Sequence, residues 1–227
     1  MSSKHANRKR KLDTVSSEAV TGDPATRLRI LDAALRLVTR KGGADVTLGD
    51  VAREAGVSRQ ALYLHFADRA GLFLALVRHA DDRRGLAAMI QRIQAAPTGE
   101  AALREMAATQ ARMNPGIWPL ARALDSVRRQ DDAAERSWHE RLSSRLEGCR
   151  AIVAQLAREG VLRPRLGPDI AADLLWTLSS LRMWEDLVLL RGWSAQQYEQ
   201  RLGDLMLLVV SSKGPRRKKP GKALGKT

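Results

Sequence analysis

An all-α fold is predicted for this chain of 227 residues, and three observations carry the prediction. Apolar residues recur at spacings of three and four rather than in alternation. Ala, Leu, Arg, Glu and Gln, all good helix formers, dominate outside the breaks. Gly and Pro fall in short clusters, at Gly42-Gly43, Pro97-Thr98-Gly99, Asn114-Pro115-Gly116, Gly160, Gly167-Pro168 and Gly192, that divide the sequence into helix-length pieces.

Residues 1–24 are polar and charged with no sustained period, and read as a disordered basic arm. A first helix over 27–41 gathers Leu28, Leu31, Ala34, Leu35 and Val38 on one face and stops at Gly42-Gly43. Thr47, with Asp50 three residues on, forms a capping-box pattern ahead of Leu48, Val51 and Ala52. Gly56 ends that short helix, and Ser58 is placed to cap the next, "RQALYLHF". So short a turn forces the two helices to cross steeply, which is helix-turn-helix grammar. Val57 and Leu62 face the core shared with the preceding helix.

Further helices are predicted at 68–94, 100–113, 117–130, 133–159, 168–190 and 194–211. Leu142, Leu146, Cys149, Val153 and Leu156 make one stripe, in which Cys149 reads as a small core hydrophobe. The last helix carries a capping box, Ser194 with Gln197, and a staple pair, Trp193 and Tyr198. Residues 213–227, "KGPRRKKPGKALGKT", read as a disordered basic tail.

The formal charge of +14 is unevenly spread: +2 over 1–24, +4 over 25–85, +1 over 86–212 and +7 over 213–227. Positive charge concentrated near one module and a tail is the footprint of a polyanion binder, with nucleic acid ahead of an anionic membrane. The single cysteine excludes an internal disulfide, and no apolar run qualifies as a signal or a membrane span. A cytoplasmic protein without a membrane role is expected. Enzyme signatures are missing too: there is no nucleophile elbow, phosphate-cradling glycine loop or zinc spacing of Cys and His. No catalytic residue, metal or cofactor is expected.

Arg59 and Gln60, at the exposed start of the second short helix, are side chains able to fork onto guanine and adenine edges in the major groove. Tyr63 and His65 can donate to phosphates, and Arg69 opens the following helix beside free amides. Thr47 and Ser58 serve as caps, as phosphate contacts, or as both. Core packing is the competing reading for Tyr63.

The run "TLGDVAREAGVSRQALYLHFADRAGLF" resembles the tetracycline-repressor (TetR) family of transcriptional regulators, above all in its "AGVS" turn, its "LYLHF" and its "DRAGL". Two positions depart mildly from the pattern: Arg69 stands where lysine is usual, and Gly71 where a helix former is common. The resemblance implies a helix-turn-helix DNA-binding domain over 25–72 and a helical ligand-binding and dimerisation domain over 73–212. DNA contact would then fall on Thr47, Ser58, Arg59, Gln60, Tyr63, His65 and Arg69. A homodimer would form through the last two long helices, at Leu174, Leu178, Leu181, Leu202, Leu205, Met206 and Val209. An unknown small-molecule inducer would sit among Met106, Met113, Trp118, Trp138, Trp176 and Met183, although core packing accounts for each of these separately. The implied function is a ligand-responsive repressor acting on double-stranded DNA at a pseudo-palindromic operator. The alternative is a general DNA-coating or architectural protein without a small-molecule switch.

Overall fold

A computed structural model describes residues 22–43 and 45–213; the expected basic arm and tail lie almost wholly outside these residues. Ten α-helices and one π-helical segment occur among them. The N-terminal group is α1 (Pro24–Arg40), α2 (Leu48–Ala55), α3 (Arg59–Tyr63) and α4 (Arg69–Arg84). Then come α5 (Leu86–Gln94), α6 (Gly99–Arg128), α7 (Asp132–Arg158), α8 (Pro168–Leu178), α9 (Leu181–Trp184), a π-helix (Glu185–Leu190) and α10 (Ala195–Val210). The sole extended pairing among the described residues is an isolated bridge between Leu162 and Ser211.

Two apolar cores organise the chain. The first joins Ile30, Leu37 and Val38 of α1, Val51 of α2, Leu62 of α3, and Leu72, Phe73 and Leu76 of α4 to Leu120 and Leu124 at the far end of α6. The second joins Leu103 and Met106 of α6, Ile152, Val153 and Leu156 of α7, Leu175 of α8 and Trp184 of α9 to Tyr198, Leu202, Met206 and Leu207 of α10. Helix α6 therefore runs through both. Cys149 is fully buried in the second core, as its stripe predicts.

Several boundaries differ from the sequence reading, each for a physical reason. The expected helix at 68–94 is two, because Gly85 takes a left-handed conformation (φ +65°) that terminates α4 and turns the chain into α5. The expected pair at 100–113 and 117–130 is one helix of 30 residues, with Pro115 and Pro119 inside it. A proline in a helix interior costs about 3 kcal/mol, and burial of Met113, Leu120 and Leu124 around these two prolines outweighs that local cost. The expected helix at 168–190 breaks at Ser179-Ser180, where Ser180 accepts from the amide of Met183 and restarts the chain as α9. Helix α3 is only five residues long, since the amides of His65 and Phe66 both turn back to the Leu62 carbonyl. Leu31, Ala34 and Val38 of the expected α1 face are buried and are joined by Ile30, Ala33 and Leu37, while Leu28, assigned to that face, is 52 % exposed.

Candidate nucleic-acid interface and ligand core

The helix-turn-helix is built from local caps. Thr47 Oγ1 accepts from the Asp50 amide at 3.1 Å, and the Asp50 carboxylate accepts from the Thr47 amide at 3.3 Å, completing the predicted box. Lys41 donates to the same carboxylate at 3.1 Å; with the Thr47 bonds, this holds the Asp50 carboxyl down at about 2. Glu54 pairs with Arg36 and Arg40, so both ends of α2 are tied to α1 or to the loop that follows it. Gly56 closes α2, and Ser58 Oγ accepts from the Ala61 amide at 3.0 Å to open α3.

These caps set the predicted contact residues along one edge. Thr47, Ser58, Arg59 and Gln60 are exposed, with Arg59 and Gln60 in the first turn of α3 where free amides and side chains face outward together. The Arg59 guanidinium lies across the backbone of Gly49 in the first turn of α2, a position that only the missing side chain of Gly49 leaves open. Tyr63 is 54 % exposed, which decides against core packing. His65 and Arg69 are half-buried. The His65 ring packs against Gly22, while its Nδ1 is enclosed without a partner. The Arg69 guanidinium stacks 5.1 Å from the Phe73 ring with its Nε likewise unmatched.

Arg27 joins this edge and was not anticipated. Its guanidinium lies 4.9 Å from the Phe66 ring, with Nε enclosed and unmatched, so α1 contributes a cation just beyond the end of α3. Its only sequence signal is a basic residue in the first turn of an amphipathic helix, which is common on any surface. The arrangement of donors and cations suits binding to phosphates, with Arg59 and Gln60 left to meet base edges.

The expected ligand residues divide. Met106, Trp118, Trp176 and Met183 belong to or pack on the second core, and Met113 is buried nearby on α6. Trp138 packs on the first core, beneath the Arg128 guanidinium at 5.0 Å, because α7 crosses α4 at that level; it is separated from the group. Two of the expected dimer residues are also consumed internally. Leu202 and Met206 are 2 % and 0 % exposed, since α10 packs along α6, and they offer no surface to a second copy. Leu174 is exposed, and Leu178, Leu181, Leu205 and Val209 are half-buried.

Buried polar groups gather in the same second core. Arg145 of α7 stacks 4.6 Å from the Trp176 ring and donates to the Ser179 carbonyl at 2.8 Å, closing the end of α8. Burial drives the Cys149 thiol beside it up to about 11, so it stays protonated and inert as a core residue. Burial likewise raises the Tyr198 phenol far above its ordinary range.

Among the described residues no group of three or more His, Cys, Asp or Glu is placed to hold a metal ion, and no helix is long and apolar enough to cross a membrane.

Residues 30–76 match the family model for bacterial regulatory proteins of the tetR family. Over 48 residues the chain is 50 % identical to the HTH-type transcriptional regulator AcrR of Shigella flexneri, a match covering 21 % of this chain and 22 % of that one. Over 57 residues it is 39 % identical to the HTH-type transcriptional regulator BetI of Brucella anthropi, covering 25 % and 29 %. The matched segment thus spans less than a third of these curated relatives. The fold as a whole is similar to that of a protein described as a transcriptional regulator from Saccharomonospora viridis, solved in complex with choline. The TM-score is 0.71 at 18 % identity, over 83 % of this chain and 99 % of that one. Residues 30–76 are therefore similar to the DNA-binding segment of bacterial tetR-family regulatory proteins, and over the rest of the chain the likeness is one of fold.

Proposed function

We propose that the chain is a sequence-specific transcriptional repressor that binds a pseudo-palindromic operator as a homodimer and responds to a small molecule held in its C-terminal half. The observation that carries the DNA-reading part is the exposed pair Arg59 and Gln60 on the first turn of a capped, five-residue helix. Flanking donors at Thr47, Ser58, Tyr63 and Arg69 set its register on the backbone.

Dimerisation is supported by apolar surface on the last elements: Ile170 and Leu174 of α8, Leu189 and Leu190 of the π-helix and Leu208 of α10 are all exposed. These residues, rather than Leu202 and Met206, are where a twofold partner gains apolar contact. Coupling to a ligand is supported by α4, which links the two halves. Asp81 of α4 takes a two-pronged ion pair from Arg141 of α7, at 2.7 and 3.2 Å, one turn from Arg145. Arg84 at the end of α4 lays its guanidinium over Gly116 of α6, two residues from Asn114. The S. viridis protein of similar fold binds choline, which is consistent with a ligand-holding role for this half.

Selection of bound sequences from randomised DNA tests the reading. A two-fold symmetric motif, with half-sites about 34–36 Å apart, is the expected outcome. A specificity ratio near one between that motif and bulk DNA, measured across a salt titration, would instead favour the DNA-coating alternative.

A further inference from the structure

The second core encloses three hydrogen-bond donors that the fold leaves unmatched, and they lie together. Tyr198 of α10 is 0 % exposed and its Oη has no partner. Asn114 of α6 approaches the phenol and is 2 % exposed, yet its Nδ2 makes no hydrogen bond of sound geometry. Arg145 of α7 stands near both Tyr198 and Cys149, with its Nε enclosed and unpartnered. Its one hydrogen bond is to a neutral carbonyl, that of Ser179, and no carboxylate among the described residues forms an ion pair with it. Buried polar groups are almost always matched, and the half-buried Arg145 guanidinium, with an enclosed Nε and no counter-charge, is a costly exception.

The missing partner has a definite chemistry. All three unmatched atoms donate, and one belongs to a permanent cation, so the complement is an anion with more than one acceptor oxygen. Around them the core is apolar, with Met106, Trp176 and Trp184, which suits a ligand whose remaining body is apolar. A quaternary ammonium fits poorly. An Arg145 guanidinium with no counter-charge repels a second cation, and Arg122 at 5.0 Å and Arg145 at 4.6 Å already occupy one face each of Trp118 and Trp176. The wall over this core is made of short pieces, α8, α9 and the π-helix, and π-helical turns recur at functional sites.

We propose that Asn114, Arg145 and Tyr198 form the polar end of the ligand site and receive the carboxylate of a small apolar carboxylic acid. This rests on the ligand-responsive reading above and names the ligand class. Arg145 supplies the charge-assisted contact, while Asn114 and Tyr198 supply the second oxygen's partners.

The test is equilibrium dialysis of the full-length protein against 1-naphthoate and decanoate. The matched controls are 1-naphthalenemethanol, decanol and decyltrimethylammonium, and each protein is checked by thermal unfolding and tryptophan fluorescence. At least one carboxylate is expected to bind once per protomer, about tenfold or more tighter than its alcohol or ammonium counterpart. Arg145→Met is expected to lose that preference, Arg145→Lys to recover part of it, and Tyr198→Phe to weaken carboxylate binding several-fold with its unfolding midpoint unchanged. Failure of both carboxylates to saturate, equal binding of the alcohol or the ammonium, or a folded Arg145→Met that keeps its affinity overturns the proposal. If Arg145→Met does not fold, Tyr198→Phe decides: undiminished carboxylate affinity overturns it. A wild-type protein that selects an operator but binds no carboxylate loses only this proposal. One that binds carboxylate with no effect on operator affinity keeps the site and loses the ligand-responsive reading.

Discussion

Around Leu62 and Phe73 the buried side chains are apolar, and the unmatched donors of that region, on Arg27, His65 and Arg69, lie at its outer edge. Around Tyr198 the unmatched donors lie inside, between α6, α7 and α10. On the proposed function, the same physical signature marks two different geometries of recognition. Arg27, His65 and Arg69 are half-buried, so beside the enclosed atom each carries polar atoms that stay open to water or to a phosphate. A protein that encloses a small molecule carries them in the interior, where nothing but a ligand or an ordered water can satisfy them. The N-terminal module is regular and capped, a rigidity that the proposed base reading requires, while the C-terminal half tolerates two prolines within α6 and a π-helical segment.

This contrast can be broken most severely in the first core. Leu62→Ala removes a fully buried side chain from α3, and a loss of about 2–5 kcal/mol in unfolding free energy is expected, with operator binding lost alongside. Denaturant unfolding and a binding assay measure both; a loss below about 1 kcal/mol would show that α3 is not anchored through Leu62. Next in size, Arg59→Ala and Gln60→Ala should each relax base preference at defined operator positions by about 1–3 kcal/mol, while Tyr63→Ala and Arg69→Ala weaken all sequences alike. An unchanged selected motif for both Arg59→Ala and Gln60→Ala would remove the base-reading assignment.

Smaller effects sharpen the comparison. Thr47→Ala opens the capping box of α2 and should cost about 1 kcal/mol, read as a lowered unfolding midpoint without a change in selected motif. Asp50 carries a pH dependence of known sign. Its carboxyl is held at about 2 in the folded chain against 3.8 ordinarily, so its contribution is fully present above the ordinary value and is lost as pH falls through about 2. Unfolding of wild type and Asp50→Asn compared from pH 7 to pH 2 should show the gap between them narrowing over that interval; a constant gap would mean that the ionised form is not what stabilises the cap. Smallest of all, Tyr198→Phe should leave stability within about 0.5 kcal/mol of wild type, because the phenol it removes has no partner to lose. A drop of 2 kcal/mol or more would reveal a bond to that hydroxyl and close the second core to the comparison.

Much of the N-terminal module, and the start of α10, is legible in the residues themselves. Thr47 with Asp50, Ser58, Gly56, and Ser194 with Gln197 were placed correctly because each cap is completed within three or four residues, a range over which side-chain type and spacing fix the hydrogen bond. That Tyr63 lies exposed at the end of α3 follows from the same local reading, once the helix start is known. Arg27 was missed because its meaning lies in the Phe66 ring beneath it, 39 positions on in the chain.

The sequence by itself determined that the chain is helical, where the caps at Thr47, Ser58 and Ser194 and several of the breaks fall, and which short helix presents Arg59 and Gln60. Tertiary structure alone decided that α6 would run unbroken through Pro115 and Pro119, that Ser179-Ser180 would divide the next long helix, and that Trp138 would join the first core. It also decided that Leu202 and Met206 would be spent inside the protomer, and that Asn114, Arg145 and Tyr198 would meet. The difference is one of range. Capping and periodicity are energies of neighbouring residues, whereas a proline's lost bond, a stripe's choice of partner and a buried donor's missing acceptor are settled by contacts between distant segments, as when α10 lies along α6 with Arg104 paired to Asp204 at 3.3 Å.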